Sequence, residues 1–231
     1  MDLLNIEPQI VWKNFSALNA VPRHSKKEER VIEFIKNFGE NLGLPTSVDE
    51  VGNVIIKKPA TAGMEDRKSI ILQSHLDMVH QKNSDVNFDF ETQGIQMEID
   101  GDWLKAKGTT LGADNGLGVA AIMSILESSD ILHPVLEALF TIDEETGMTG
   151  ALGLKPGQLS GEILLNLDTE EDDEIDIGCA GGIDVTASQN YTLQDSNGSI
   201  VKITVKGLQG GHSGMDINKG FGNANVILER L

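Results

Sequence analysis

Six residues in four segments of this chain combine a metal-ligating or proton-transferring side chain with a position at the end of an apolar stretch. They are His75 and Asp77 in QSHLDMV, Asp114 in TTLGADNGLG, Glu144 and Glu145 in LFTIDEETG, and Asp168 in LLNLDTE. Chain order scatters them, but a sheet can gather its strand ends. On a strand His75 and Asp77 share a face. The carboxylate can then accept a hydrogen bond from the imidazole N–H that a metal does not use, which fixes the tautomer. For that pair alone a core histidine beside a turn-forming aspartate is the simpler reading, and the other three segments weigh against it.

Asp114 stands directly before a helix that begins at about Gly116. Taken alone it reads as an N-cap or turn aspartate. In company it can place one oxygen on each of two cations, holding them the ~3.5–4 Å apart that two-metal hydrolases require, with the flanking glycines letting the backbone approach. Asp143, Glu144 and Glu145 end an apolar strand, where three adjacent carboxylates repel one another unless cations or protons compensate. A solvated turn is the plain alternative. Hydrolysis, however, needs one carboxylate as a ligand and another to take a proton from water, and neighbours on an extended strand face opposite ways. Two distinct roles are therefore expected for Glu144 and Glu145.

Asp168 opens DTEEDDEID, in which seven of nine residues are acidic. The calcium-loop pattern fails there because Asp173 occupies the place of the mid-loop glycine. Residues 170–176 are expected to be a solvated acidic turn, with Asp168 alone kept as a ligand. GLGVAA at Gly116 lacks the last glycine of a dinucleotide fingerprint and the lysine of a phosphate loop, so it reads as helix packing. The mixed nitrogen and oxygen donors, without thiolates, suit zinc, manganese or cobalt in an open catalytic site.

Strands and helices must alternate to position these residues. Ser25 and Glu28 form a capping-box pattern, followed by Val31, Ile35, Phe38 and Leu42 at helical spacing until Gly43 and Pro45. Val54 to Lys57, Ser69 to Leu72, Val135 to Ile142 and Glu162 to Leu167 read as strands, and Gly116 to Leu126 as a buried helix. The alternation argues for an α/β domain with a largely parallel or mixed sheet and helices on both faces. From about Val185 the texture changes. Asp184 to Tyr191 and Ser199 to Val205 alternate as half-buried strands, and a glycine-rich turn leads into a helix from Asn223 to Leu231. A second domain is expected there, and the ending inside a helix suggests a truncated chain.

The 231 residues, 39% of them hydrophobic, can bury a substantial core. Acidic residues outnumber basic ones 36 to 18, giving a net charge of −18 that repels nucleic acid and anionic membranes while attracting cations. The opening MDLLNIEPQIVWKNF lacks the pattern of a signal peptide, and the longest apolar run, of 11 residues, falls well short of the ~20 of a membrane span. Cys179 is the only cysteine, which fits a reducing compartment. A cytoplasmic location is expected.

In this order, HLD, GADNG, DEETG and NLD resemble the dinuclear zinc metallopeptidase family that includes carboxypeptidase G and the aminoacylases. The longer strings PRHSKKEE, HLDMVHQKN, GTTLGADNGLGVA, FTIDEETGMTGA, GCAGG and GGHSGMDI are similar to its aminoacyl-histidine dipeptidase branch across essentially the whole chain. The resemblance implies a metallopeptidase catalytic domain over residues 1–184, its mixed, mainly parallel sheet flanked by helices. Residues 185–231 would begin an α+β lid and dimerisation domain. It implies two divalent ions, zinc first, with cobalt or manganese as alternatives. His75 and Asp168 would bind one and Glu145 the other, with Asp114 bridging through a non-proline cis peptide at Asp114–Asn115. Asp77 would orient His75, and Glu144 would be the general base.

His212 matches a second-domain histidine that reaches the substrate carbonyl, often from a partner subunit. The alternative is a turn histidine between glycines. His24, His80 and His133 are left structural or solvated, His80 being the one expected to line the cleft. In the family a histidine beyond position 231 supplies the remaining ligand of the Glu145 metal, and none of the five histidines here fills that place. This chain by itself is therefore expected to be inactive. The implied reaction is hydrolysis of dipeptides, preferentially Xaa-His, by a metal-activated water in a homodimer. Alternatives are an aminoacylase, a tripeptidase or a metal-binding module without turnover. A pure binder would not need Glu144 beside Glu145.

Overall fold

The computed structural model describes residues 3–169, 173–179, 181, 183, 185–195, 197–211, 214 and 216–231. They fall into two compact units, Met1–Ile175 and Asp176–Leu231. The first unit runs α1 (Gln9–Asn19), α2 (Glu29–Asn41), β1 (Thr46–Val48), β2 (Val54–Lys58), β3 (Ile70–His75), β4 (Met97–Asp100) and β5 (Trp103–Ala106). It continues with α3 (Ala113–Glu127), β6 (Leu136–Thr141), α4 (Glu144–Gly147), α5 (Thr149–Gly153) and β7 (Ile163–Asn166). Among the described residues no helix is long and apolar enough to cross a membrane.

Five strands form one sheet in the order β1-β2-β6-β3-β7, while β4 and β5 form a separate hairpin. The pairs β1–β2 and β2–β6 are antiparallel, and β6–β3 and β3–β7 are parallel. The expected α/β fold with a mixed, mainly parallel sheet is thus present. Its register matters most for chemistry. His75 lies opposite Thr141 and Gln73 opposite Asn166, so the three parallel strands end together on one edge of the sheet. Ligands of open α/β sheets collect outside such carboxyl ends.

The period-two alternation divides the core. Val54, Ile56, Leu72, Leu136, Ala138 and Phe140 face a large cluster with Leu18 of α1, Val31 and Ile35 of α2, and Val119, Ile122, Met123 and Leu126 of α3. Ile55, Ile71 and Leu139 face the other way, under Leu154 and Leu159. The three long helices therefore share one face, and the opposite face is covered more thinly by the segment around α5. The sheet is thus flanked by helices as expected, the long ones on one face and the short α5 on the other. The buried Glu137 on β6 accepts from Lys57 Nζ (2.6 Å), Ser160 N (2.7 Å) and Gly161 N (2.7 Å), pinning the entry to β7.

Two local readings need correction. Ser25 and Glu28 do not make a capping box, because α2 begins at Glu29 without a side-chain cap and both residues are drawn into tertiary contacts described below. Helix α1 was not anticipated from periodicity, since its buried positions include Asn14 and Asn19. Asn14 Nδ2 donates to Ser124 Oγ (3.1 Å) and Glu127 Oε1 (2.6 Å) of α3, so polar residues fill part of the packing stripe.

In the second unit the described residues form one helix, α6 (Ala224–Glu229), capped by Asn223 Oδ1 accepting from Asn225 N and Val226 N. The strands expected at Asp184 to Tyr191 and Ser199 to Val205 do not form among the described residues. A strand needs a ladder partner as well as an alternating pattern. Here Ile200, Val201 and Ile203 are exposed. Asp184 and residues 170–172 of the expected acidic turn lie outside the described residues.

Candidate metal centre

The carboxyl edge of the sheet brings His75, Asp77, Glu144, Glu145 and Asp168 together, and the N-terminus of α3 adds Asp114. His75 is fully buried, and its Nε2 lies 3.0 Å from Asp114 Oδ1, 3.8 Å from Asp168 Oδ2 and 3.9 Å from Glu144 Oε2. His75, Asp114 and Glu145 can each offer one ligand atom within 4.8 Å of the others, as can His75, Glu144 and Asp168. His75 thus belongs to two adjoining groups of hard donors. Together they are a fitting donor set for divalent cations of the zinc, cobalt or manganese kind. His212, by contrast, lies outside the described residues.

Asp77 organises this constellation without pointing into it. Its carboxylate is fully buried and faces four donors: His75 Nδ1 at 3.2 Å, Glu144 N at 3.0 Å, Glu145 N at 3.2 Å and Ser25 Oγ at 2.8 Å. His75 Nδ1 also lies 3.1 Å from the Asp77 carbonyl, which leaves Nε2 to face the other carboxylates. Burial opposes the Asp77 charge, yet His75, the Glu144 N–H and the Ser25 hydroxyl together hold its carboxyl below the usual range.

Glu144 and Glu145 do not end a strand as expected. Strand β6 stops at Thr141, Asp143 adopts a left-handed backbone (φ 53°), and the two glutamates occupy the short helical turn α4. Their side chains diverge because successive helical residues are rotated by ~100°. The turn is firmly closed. Gly150 N donates to Ile142 O (3.1 Å), and the buried Asn53 joins both ends, donating to Gly150 O (2.9 Å) and accepting from Ile142 N (3.4 Å). Inside it, Asp143 accepts from Lys26 Nζ and from the hydroxyls of Thr146 and Thr149, while its own N–H donates to Glu28 Oε1 (3.1 Å). Burial opposes ionisation of Asp143, but these donors pull its pKa down to about 2.

Glu28, Asp77 and Asp143 form a third cluster of oxygens close enough for a cation. It is filled instead by protein donors, including the Lys26 ammonium. The carboxylates around His75 behave differently. Burial, with the repulsion of their neighbours, raises the pKa of Glu144, Glu145 and Asp168 despite the His75 charge. His75 is raised to about 10: burial opposes its charge, but the hydrogen bonds to Asp114 and Asp77 and the fields of Asp77 and Asp168 prevail. Positive charge at this point is strongly favoured, as a cation-binding arrangement requires.

Asp114 is not an N-cap; Gly112 holds that position with a left-handed backbone, and helical geometry becomes regular only after Asn115. The Asp114–Asn115 peptide is cis, as the family resemblance implies. The Asn115 amide is buried without a partner in hydrogen-bonding geometry, yet it lies near enough to Asp168 to favour the charged form of that carboxylate. His24 and His80 stack at 4.5 Å, and His133 is buried with Nδ1 2.7 Å from Pro134 O.

Several supporting residues carry no clear signal in the sequence. Ser25 and Glu28 were masked by their resemblance to a cap, and Asn53 and Arg23 carry no local signature. Arg23 is 2% exposed. Its Nη1 donates to Leu76 O (2.9 Å) and Asp77 O (3.2 Å), and its Nη2 to Asn19 Oδ1 (3.0 Å) and Gly112 O (2.5 Å). Burial lowers its pKa to about 10 against the attraction of Asp77, Asp114 and Glu145, so it stays charged at neutral pH.

No protein-family model matches the chain. The cytosol non-specific dipeptidase of Escherichia coli (strain K12) is 47% identical over 232 residues, covering 100% of this chain and 48% of that protein. The crystal structure of aminoacylhistidine dipeptidase from Vibrio alginolyticus is 44% identical with a TM-score of 0.78, covering 100% of this chain and 47% of the other. A tripeptidase from Staphylococcus aureus shares the fold at 23% identity and a TM-score of 0.61, over 72% of this chain and 45% of its own. The chain thus spans about half the length of the curated dipeptidase it matches. Over its whole length it is related to these bacterial dipeptidases in sequence and in fold, as its four site motifs imply.

Proposed function

We propose that this chain carries the metal-binding core of a dinuclear metallo-dipeptidase. The observation that supports the reading best is the convergence of Asp114, Glu144 and Asp168 on Nε2 of His75, with Glu145 close enough to share a cation with His75 and Asp114. In this reading His75 and Asp168 would hold one cation and Glu145 the other, with Asp114 contributing to both. Zinc is the first choice, with cobalt and manganese as alternatives. Bound there, the ions would supply Lewis acidity toward the scissile carbonyl and the attacking water.

The chain's own residues perform the remaining work. Glu144, its carboxyl raised by burial and by neighbouring carboxylates, takes a proton from water and returns it to the leaving amine. Asp77 keeps His75 in one tautomer and fixes the backbone of Glu144 and Glu145. A cavity of about 220 Å³ beside Glu144 and Asp168, walled by Ile142, Met148, Leu164 and Asn166, is smaller than the ~300 Å³ of ordinary ligand pockets. Dipeptides, with Xaa-His among them, are the substrates proposed by analogy with the relatives. Aminoacylase and tripeptidase activities are the alternatives. A homodimer in the cytosol, with His212 reaching the substrate carbonyl, completes the proposal.

Glu144→Gln in the complete protein tests it. Turnover of dipeptides should fall by at least ~10²–10⁴-fold, the usual contribution of a general base, while metal content stays near wild type. Undiminished turnover would refute the assignment.

A further inference from the structure

Among the described residues Arg23 heads the largest side chains enclosed in the core, and the reaction proposed above leaves it without a role. Its partners are three backbone carbonyls and one amide oxygen. Those carbonyls are not scattered. Leu76 and Asp77 follow His75 at the end of β3, and Gly112 lies two residues before Asp114. All four Nη hydrogens are used, and they span the segments that carry His75, Asp77 and Asp114.

The sequence GADNG is shaped around this guanidinium. A Cβ added at Gly112 would lie 2.5 Å from Arg23 Nη2, and one at Gly116 would lie 2.6 Å from the same atom. A Cβ carbon essentially never approaches another atom this closely. The two glycines that bracket Asp114 therefore clear the space into which Arg23 reaches. Burying a guanidinium without a carboxylate in direct contact is costly. Here the fields of Asp77, Asp114 and Glu145 offset that cost.

We infer that Arg23 is a positioning residue of the carboxylate site: it fastens the His75–Asp77 segment to the Asp114 segment and supplies a permanent counter-charge beneath them. The inference rests on reading those residues as a metal site, but the fastening itself does not require a metal. Asp77 in turn holds the Glu144 and Glu145 N–H groups. Loss of Arg23 should reach the two glutamates by that route.

The test compares Arg23→Met and Arg23→Lys with wild type in the complete protein, by two readouts. The first is amide hydrogen exchange in metal-free protein. Arg23→Met should speed exchange at Glu144 and Glu145 by about tenfold while Ala138 and Leu139 in β6 stay unchanged, a local opening rather than global loss of structure. Arg23→Lys, which keeps the charge and some of the donors, should restore part of the protection. The second is zinc affinity by competition with a chromogenic chelator. It should weaken by about tenfold or more in Arg23→Met. Coulomb's law alone predicts the opposite, since a positive charge has been removed.

Exchange at Glu144 and Glu145 within twofold of wild type overturns the inference. So does unchanged or tighter zinc binding by Arg23→Met when wild type binds zinc. If wild type binds none while exchange still rises, the metal reading falls and the fastening role stands. Should Arg23→Met fail to fold, Gly116→Ala decides in its place, because it crowds Nη2, and Phe15 as well, without removing the charge. Wild-type exchange at Glu144 and Glu145 in that variant overturns the inference.

Discussion

Asp77→Asn replaces a buried carboxylate by an amide of nearly the same shape, and the four donors around it set the cost. On one side stand His75 Nδ1 (3.2 Å) and Glu144 N (3.0 Å), and on the other Glu145 N (3.2 Å) and Ser25 Oγ (2.8 Å). An amide has one acceptor and one donor end, so it can serve only one side. The Ser25 hydroxyl can reverse to accept, which places the new NH₂ group on its side and leaves the Glu145 N–H facing another donor. That orphaned N–H costs ~1–3 kcal/mol, and the charge-assisted bonds that remain become neutral ones of roughly half the strength. Removing the buried charge returns part of its desolvation cost, so the net destabilisation should be about 2–4 kcal/mol. Urea unfolding of metal-free protein measures it. Zinc affinity should fall in parallel by ~10–100-fold, because His75 loses the partner that orients it. A change below ~1 kcal/mol with unaltered zinc affinity would show that Asp77 does not hold these donors.

Two further variants probe the frame of the site. The Asp143 carboxyl is pulled from 3.8 down to about 2 by Lys26, Thr146 and Thr149, with burial working against them. A depressed carboxyl contributes stability above its unfolded pKa and loses it as pH falls through the folded one. Asp143→Asn should therefore be clearly less stable than wild type at pH 5, with the gap closing as pH drops toward about 2. A gap independent of pH in urea melts would contradict this. Glu137→Ala leaves the Ser160 and Gly161 N–H groups and Lys57 without their acceptor. It should cost ~2–4 kcal/mol in thermal or urea unfolding, with a change inside the usual surface range of ±0.5 kcal/mol as the contrary result.

How much of this was legible follows from where each residue sits. His75, Glu144, Glu145 and Asp168 each close or follow an apolar run, Asp114 precedes a buried helix, and parallel strands end on one edge, so their gathering can be read from pattern. The way Glu144 and Glu145 part could not be read, because the left-handed turn at Asp143 depends on Lys26 and Glu28, more than a hundred residues earlier in the chain. Ser25 and Glu28 illustrate the converse. Their spacing satisfies a helix cap, but the buried Asp77 and the Asp143 backbone compete for the same groups and win them. Arg23 has no periodicity to betray it; only the glycines at 112 and 116 hint that something large lies between the segments. In the second unit the alternation at Ser199 to Val205 is real as a pattern, and without a neighbouring strand it makes no ladder.

Whether the side chains around His75 form a two-cation site can be read from metal stoichiometry. Zinc is titrated into the metal-depleted complete protein by calorimetry, with Asp114→Ala as the comparison. Two zinc ions per chain are expected in wild type, with weakening at both sites together in Asp114→Ala, since one carboxylate would serve both. Two ions bound with unchanged affinity by Asp114→Ala, or no tight zinc in wild type, would contradict this expectation.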